Sequence, residues 1–250
     1  MKKLKTPFLF ALALVPVGAV AAYFTILYQL EFMDAAMIAQ AVAQFGSETG
    51  LIAVYILQIA IYTFVCGFAG HILAKKLGIL KPFRFEKKPL LITLAVSLVG
   101  GILFSLDYWT FGAVIPGIRE STAATLTPIV IAASVLYGGI VEELMLRFFM
   151  MSIIAFLLWK LFARKAETAP TAAVVAANII AAVLFAAGHL PATAMLFGSL
   201  TPLLLVRCFL LNGGFGLLFG WLYRKYGIQY AMVSHAVFHI VSKLIWLLFI

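Results

Sequence analysis

The chain has 250 residues, of which 65% are hydrophobic and 11% are charged, and its formal net charge is +9. Soluble domains average about 45–50% apolar and about 25% charged residues, so the composition excludes a soluble globular protein. The basic residues lie in short clusters between apolar runs, which indicates charge asymmetry across a membrane and excludes a nucleic-acid-binding face.

Apolar stretches along the chain predict the membrane spans. A transmembrane helix needs about 20 apolar residues, so the sequence predicts an all-α polytopic membrane protein of seven or eight transmembrane helices in a single membrane domain, residues 1–250. Between the first two spans, residues 34–45 predict a short interfacial helix. The predicted spans cover approximately residues 7–30, 51–73, 90–106, 126–162, 171–190, 199–222 and 229–250, with a loop at 107–125 and an interruption of the fourth stretch near Gly138-Gly139.

The first apolar run has two interpretations. Its basic start and the small residues Val20-Ala21-Ala22 are also typical of a cleaved signal peptide. The run continues through Tyr23 to Leu30, which is long for a signal peptide, so we favour an uncleaved first span.

The basic residues predict the orientation. With alternating spans, one side holds the amino-terminal lysines and the clusters at 75–88, 160–165 and 224–225, whereas the other side holds only Arg119. The positive-inside rule therefore predicts a cytoplasmic amino terminus. Because no organelle signal is recognisable and the chain is compact, we expect an integral protein of a bacterial plasma membrane.

Two adjacent glutamates interrupt the fourth span. A charged side chain in the middle of a bilayer costs about 2.5 kcal/mol or more, so it needs a partner or a function. Glu143 and Arg147 are four residues apart and share a helix face, which predicts an ion pair. Glu142 is rotated by about 100° from Glu143 and is left free for proton transfer. The alternative is that both glutamates belong to one structural ion cluster.

Three histidines lie in the later spans. His189 ends the motif Phe185-Ala-Ala-Gly-His189, and His235 and His239 project from one helix face, as zinc-binding histidine pairs do. A carboxylate beside an imidazole can take a proton from water, and further imidazoles can stabilise an oxyanion. The set therefore predicts a hydrolytic site. The alternatives are a structural His189 and a helix–helix hydrogen-bonding pair.

The remaining histidine and the two cysteines predict no chemistry. His71 adjoins the basic loop and is predicted to be interfacial. Cys66 and Cys208 fall inside apolar stretches and are predicted to be small core residues without a disulfide.

The order of these motifs resembles the CAAX protease and bacteriocin-processing family, also called the Abi family, of intramembrane endopeptidases. Its members include the enzymes that remove the last three residues of prenylated CAAX proteins. The glycine-rich segment 213–223 is also similar to the family. The resemblance covers about residues 125–245, as a catalytic core. It rests on the motifs Glu142-Glu143-x-x-x-Arg147, Phe185-x-x-x-His189 and His235-x-x-x-His239.

The resemblance implies a role for each site residue. Glu142 and His189 would activate water, Glu143 and Arg147 would support them, and His235 with His239 would hold the oxyanion. The family usually has Asn at the last of these positions. Because His239 replaces it, Glu142 and the three histidines also form a plausible zinc set, as in a metalloprotease. We favour metal-free, glutamate-dependent hydrolysis, with no cofactor.

The expected partners are a peptide or lipidated protein substrate and membrane lipids. Two other functions remain open. The first is a non-catalytic membrane immunity or binding protein that keeps the cluster for structure. The second, less favoured, is a proton-coupled transporter, because the sequence lacks the matching broken helices that transporters show.

The predicted depths of two histidines disagree. With alternating spans, His189 lies near the outer end of span five and His235 about two turns inside the cytoplasmic end of span seven, a difference of more than ~10 Å. Either span five begins well out in the cytoplasm, or residues 191–227 cross twice, with Asn212-Gly213-Gly214 as the turn. The second solution would give eight spans.

Overall fold

A computed structural model describes residues 2–250, which are almost entirely helical and contain no strand. Seven helical segments in this range are long and apolar enough to cross a membrane. The protein is therefore an all-α polytopic membrane protein, as predicted, with seven candidate spans. Many large apolar side chains on the outside of the bundle, such as Leu57, Leu98 and Leu244, are exposed, as expected for a surface that contacts lipid.

Ten helices make up the fold. The first four are α1 (Lys2–Phe32), α2 (Ala35–Phe45), α3 (Glu48–Leu77) and α4 (Lys87–Ser105). The others are α5 (Ile118–Ala124), α6 (Pro128–Phe162), α7 (Thr171–Gly188), α8 (Leu190–Phe197), α9 (Pro202–Tyr226) and α10 (Ile228–Phe249).

The short helix predicted after the first span is present as α2, and local caps fix its limits. The Asp34 side chain accepts a hydrogen bond from the backbone N–H of Met37 at 2.8 Å. Gly46 ends the helix with φ of 78°, a left-handed conformation that glycine adopts without strain. Ser47 then caps α3 by accepting from the N–H of Gly50 at 3.0 Å.

Two segments differ in detail from the sequence prediction. Helix α6 continues through Gly138-Gly139, where the apolar stretch is interrupted, with π-helical hydrogen bonding over Ser134–Met151. Residues 107–125 are only partly a loop, since they contain α5 and two short 3₁₀ turns.

The double crossing of residues 191–227 was wrong. Asn212 and Gly213 lie in a π-helical turn inside α9 and do not form a loop, so residues 202–226 cross once. Pro191 does not end the fifth span. It occupies the first turn of α8, where a missing N–H breaks no helical hydrogen bond, and α7 and α8 together form one candidate span, Thr171–Phe197.

Helix α10 packs against α4 and α6, and close contacts bring it near both. Ser97 and Ser234 share a hydrogen bond of 2.9 Å, and the Trp246 indole N–H donates to the Ser105 carbonyl at 2.9 Å. On the other side, a Cβ at Gly139 would lie 2.8 Å from Ala236 Cβ. Only glycine therefore allows α6 and α10 to approach this closely, and the approach brings their polar motifs together.

Candidate active site

A cavity of about 490 Å³ lies between α1, α4, α6, α7, α9 and α10. Its wall contains all four residues that the sequence predicts to be catalytic: Glu142, His189, His235 and His239. Three separate helical segments supply them, namely α6, the junction of α7 and α8, and α10. The fold thus gathers the dispersed polar motifs around one space.

Glu143 forms the buried centre of the polar cluster, with a side chain that is 0% exposed. Its Oε1 accepts a hydrogen bond from Arg147 Nη1 at 2.9 Å, which is the ion pair that the spacing predicts. The same oxygen lies 2.9 Å from His235 Nδ1. Glu143 therefore holds Arg147 along its own helix and His235 across the α6–α10 interface.

The contact with Glu143 defines the orientation of the two α10 histidines. An ionised carboxylate only accepts hydrogen bonds, so His235 Nδ1 is the donor. In the neutral ring, His235 Nε2 is then the acceptor, so His239 Nε2 donates to it at 3.1 Å. The Phe219 ring stacks on His235 at 4.4 Å and fixes its plane.

Arg147 is 1% exposed and completes the support of the cluster. Its guanidinium carbon lies 4.3 Å from the centre of the Phe185 ring and 5.5 Å from that of Phe219. These cation–π contacts partly replace the water that the buried guanidinium loses. Its Nη2 has no hydrogen-bond partner among residues 2–250, and neither has Glu143 Oε2.

Glu142 differs from Glu143 in its surroundings. It is half-buried at the cavity wall and makes no hydrogen bond or ion pair with any residue from 2 to 250. Adjacent positions on a helix point about 100° apart, so only Glu143 faces Arg147. The carboxylate of Glu142 is thus available to a molecule in the cavity.

His189 is held by the break between α7 and α8. Its backbone N–H bonds to the Ala186 carbonyl at 3.0 Å, three residues back, and so leaves the Phe185 carbonyl without its usual helical partner. His189 Nδ1 fills that place at 2.8 Å. Because a carbonyl only accepts, Nδ1 carries the proton, and Nε2 of the neutral ring is left as a free base.

The apparent mismatch in depth is resolved by the length of span five. His189 lies 18 residues after Thr171, a rise of about 27 Å, so this span begins far beyond the level of the cavity. The Phe185 and His235 rings are 6.2 Å apart, which shows that α7 and α10 meet at the same level. Of the two explanations given above, the structure favours an early start of span five over a double crossing of residues 191–227.

Sequence reasoning missed one functional feature of the site. A Cβ at Gly138 would lie 3.1 Å from His239 Nε2 and 3.5 Å from His235 Nε2, so the glycine makes room for both imidazoles. In the sequence, Gly138 marks only an interruption of the apolar stretch. Gly138 lies four residues before Glu142 and so shares its helix face, and this spacing could have indicated a role in the site.

His71, Cys66 and Cys208 lie outside the wall of this cavity. The ring of His71 packs 5.6 Å from that of Phe10, and both cysteines are free and buried.

The side chains as placed do not fit a metal ion. A catalytic zinc ion takes three protein ligands. Among residues 2–250, no group of three or more His, Cys, Asp or Glu side chains is arranged to hold one. The Nε2 atoms of His235 and His239 are possible metal ligands that lie close together, but they already form a hydrogen bond with each other.

Comparison with known proteins identifies the segment that carries the site. Residues 124–241 match the family described as type II CAAX prenyl endopeptidase Rce1-like. This segment is similar to the Rce1-like family. The match confirms the resemblance drawn from the motifs, and the matched segment contains every site residue from Glu142 to His239. No curated protein and no solved structure matched the chain.

Proposed function

We propose that the protein is a glutamate-dependent intramembrane endopeptidase that cleaves a peptide bond in a lipidated, CAAX-type substrate. One observation carries the proposal. The unpaired carboxylate of Glu142 and the free Nε2 of His189 share a cavity with the His235–His239 pair, which the buried ion pair positions. The similarity to the Rce1-like family supports a protease function.

In the first step, Glu142 and His189 bind a water molecule in the cavity. Glu142 takes one of its protons, and the water oxygen attacks the carbonyl carbon of the substrate. The peptide C=O becomes a tetrahedral oxyanion. In the second step, the C–N bond breaks, and the protonated Glu142 gives its proton to the leaving amine nitrogen. The products are a carboxylic acid and an amine, and Glu142 is again a carboxylate.

His239 stabilises the oxyanion by donating to it the Nε2–H that it otherwise gives to His235 Nε2, and His235 positions His239 for this role. Such donors are effective when they are fixed before the reaction begins, because no energy is then spent on reorientation. Glu143 provides this fixation by holding His235 Nδ1, and Phe219 holds the plane of the ring. Arg147 compensates the buried charge of Glu143. The supporting role of Glu143 and Arg147 therefore acts through His235.

The cavity walls favour a membrane-embedded substrate. Apolar side chains such as Phe104, Leu184 and Phe215 form much of the lining, beside the polar catalytic groups. A lipid-modified cysteine would suit such walls. We further propose that the protein lies in a bacterial plasma membrane with its amino terminus in the cytoplasm. With alternating spans, the basic clusters fall on the same side of the membrane as the amino terminus. Membrane lipids would then surround the bundle.

The test is cleavage of a farnesylated CAAX peptide by the purified protein in detergent. Glu142→Ala and His235→Ala remove groups that two different helices, α6 and α10, contribute to the cavity, and each should lower kcat by about 10²- to 10⁴-fold. Glu120→Gln, at an exposed position in α5, is the matched control and should keep full activity. Full activity in Glu142→Ala or His235→Ala would refute the assignment.

A further inference from the structure

A second cavity of about 260 Å³ adjoins the catalytic cavity. His189, Asn212 and His239 line both cavities, so a molecule at the catalytic residues can extend into the second one. The wall of this second cavity also contains Lys243 and Arg207. The shared lining residues therefore place Lys243 next to the catalytic cavity.

The charge of Arg207 is already compensated. Its Nε and Nη2 donate to the two oxygens of Asp107 at 2.8 Å and 2.6 Å. Such a bidentate ion pair compensates the charges of both the guanidinium and the carboxylate. Asp107 and Arg207 therefore contribute no net charge to the cavity.

Lys243 has no such partner. Its side chain is largely buried, with only 5% of the residue exposed, and its ammonium group makes no hydrogen bond or ion pair with any residue from 2 to 250. Its Nζ lies 5.9 Å from the centre of the Trp246 ring, a long cation–π contact that compensates the charge only in part. An ammonium group buried among apolar helices is costly unless an anion compensates it. The second cavity thus contains an only partly compensated cation that faces a space open to ligand.

The position of Lys243 relates it to the reaction. His235, His239 and Lys243 follow at intervals of four residues and lie along one face of α10. Lys243 therefore lies about 6 Å along the helix from His239 and about 12 Å from His235. The three residues that follow the cleaved bond of a CAAX substrate span about 10 Å when extended, at about 3.3 Å per residue, so its C-terminal carboxylate can reach the level of Lys243. Lys243 lies just beyond the segment 124–241 that matches the family.

We propose that Lys243 binds the C-terminal carboxylate of the substrate and thereby selects peptides that end shortly after the cleaved bond. This inference rests on the proposed endopeptidase function and adds a specificity-determining residue to it. A peptide carboxylate and a lipid phosphate are both oxyanions that a buried ammonium group can bind. A lipid phosphate is therefore the alternative ligand of Lys243. The experiment separates the two.

The test compares two farnesylated CAAX peptides that differ only at the C-terminus, one with a free carboxylate and one with a carboxamide. Wild-type protein should have a kcat/KM ratio of acid to amide of about 10 to 100, the value of a charge-assisted hydrogen bond. In Lys243→Gln the ratio should fall to about 1, and Lys243→Arg should restore a preference for the acid. Lys88→Gln, at an exposed position, is the matched control and should keep the wild-type ratio.

Binding of the same two peptides to wild-type protein and to Lys243→Gln, measured by thermophoresis, separates this inference from the proposed function. Preference for the acid that is lost in Lys243→Gln supports the inference even if neither peptide is cleaved, in which case only the proposed function fails. Cleavage of both peptides at equal rates by the wild type overturns the inference and leaves the function intact. Equal binding without cleavage overturns both.

A third arm addresses the lipid phosphate. Activity is measured in nanodiscs of phosphatidylcholine, with and without phosphatidylglycerol. The inference predicts the same acid-to-amide ratio in both membranes. A requirement for phosphatidylglycerol that disappears in Lys243→Gln, together with equal cleavage of acid and amide, would assign Lys243 to a lipid and overturn the proposal.

Discussion

The two adjacent glutamates of α6 should contribute very different amounts to stability. Glu143 and Arg147 are 0% and 1% exposed and are 2.9 Å apart, whereas Glu142 is half-buried and unpaired. Removing one member of a buried ion pair leaves the other charge without compensation, at a cost of about 3–5 kcal/mol. We therefore expect Glu143→Leu and Arg147→Met each to lose about that much unfolding free energy. Glu142→Gln, the matched control, should lose less than about 1 kcal/mol.

The double variant Glu143→Leu/Arg147→Met provides the sharper comparison. It removes both charges, so the remaining cost is mainly that of His235 Nδ1, which loses its acceptor, at about 1–3 kcal/mol. Two single losses of about 3–5 kcal/mol would add to about 6–10 kcal/mol if they were independent. The double variant should therefore be more stable than this sum by at least about 3 kcal/mol.

The assay is equilibrium unfolding by sodium dodecyl sulfate in mixed micelles, followed by circular dichroism, for the wild type, the single variants and the double variant. Additive losses would refute the reasoning, because they would show that Glu143 and Arg147 are energetically independent. A loss for Glu142→Gln as large as that for Glu143→Leu would also refute it.

Three further predictions concern the histidine pair and the metal question. His239→Asn keeps a hydrogen-bond donor near His235 Nε2 and should retain activity within about tenfold, whereas His239→Leu should lose about 10²- to 10³-fold in kcat; equal activities would contradict the oxyanion role. Gly138→Ala should lower kcat by about tenfold or more because its Cβ displaces both imidazoles, while Gly214→Ala, which lies outside the cavity wall and whose Cβ meets nothing within 4 Å, should not. Because the donor groups do not fit a metal ion, we expect phenanthroline to leave peptide cleavage unchanged; stoichiometric zinc in elemental analysis would contradict this.

The sequence was sufficient for those parts of the fold that depend on local hydropathy. Apolar run length predicts the spans, because a bilayer imposes the same length on every crossing helix. It predicts their ends less well. Pro191 and Gly138 are helix breakers by propensity, yet Pro191 falls in the first turn of α8, and Gly138 is absorbed into a π-helical stretch. Neither position could be assigned without knowing the neighbouring backbone.

In the candidate site, too, local features could be predicted from the sequence, whereas contacts between helices could not. Helical phase alone separates Glu142 from Glu143, because the spacing of four to Arg147 is a local property. The contact between Glu143 and His235 joins residues 92 positions apart and depends on how α6 and α10 pack. The sequence places Lys243 inside the last span but does not show that it lacks an ionic partner, because that is a property of the whole bundle.

The central claim is that Glu142 and His189 together activate a water molecule. The most direct measurement is an experimental structure of the wild-type protein in a lipid environment, at a resolution that shows ordered water. The account predicts one water within about 2.6–3.2 Å of both the Glu142 carboxylate and His189 Nε2. A Glu142 side chain that turns into lipid, or that closes an ion pair with another residue, would contradict the account.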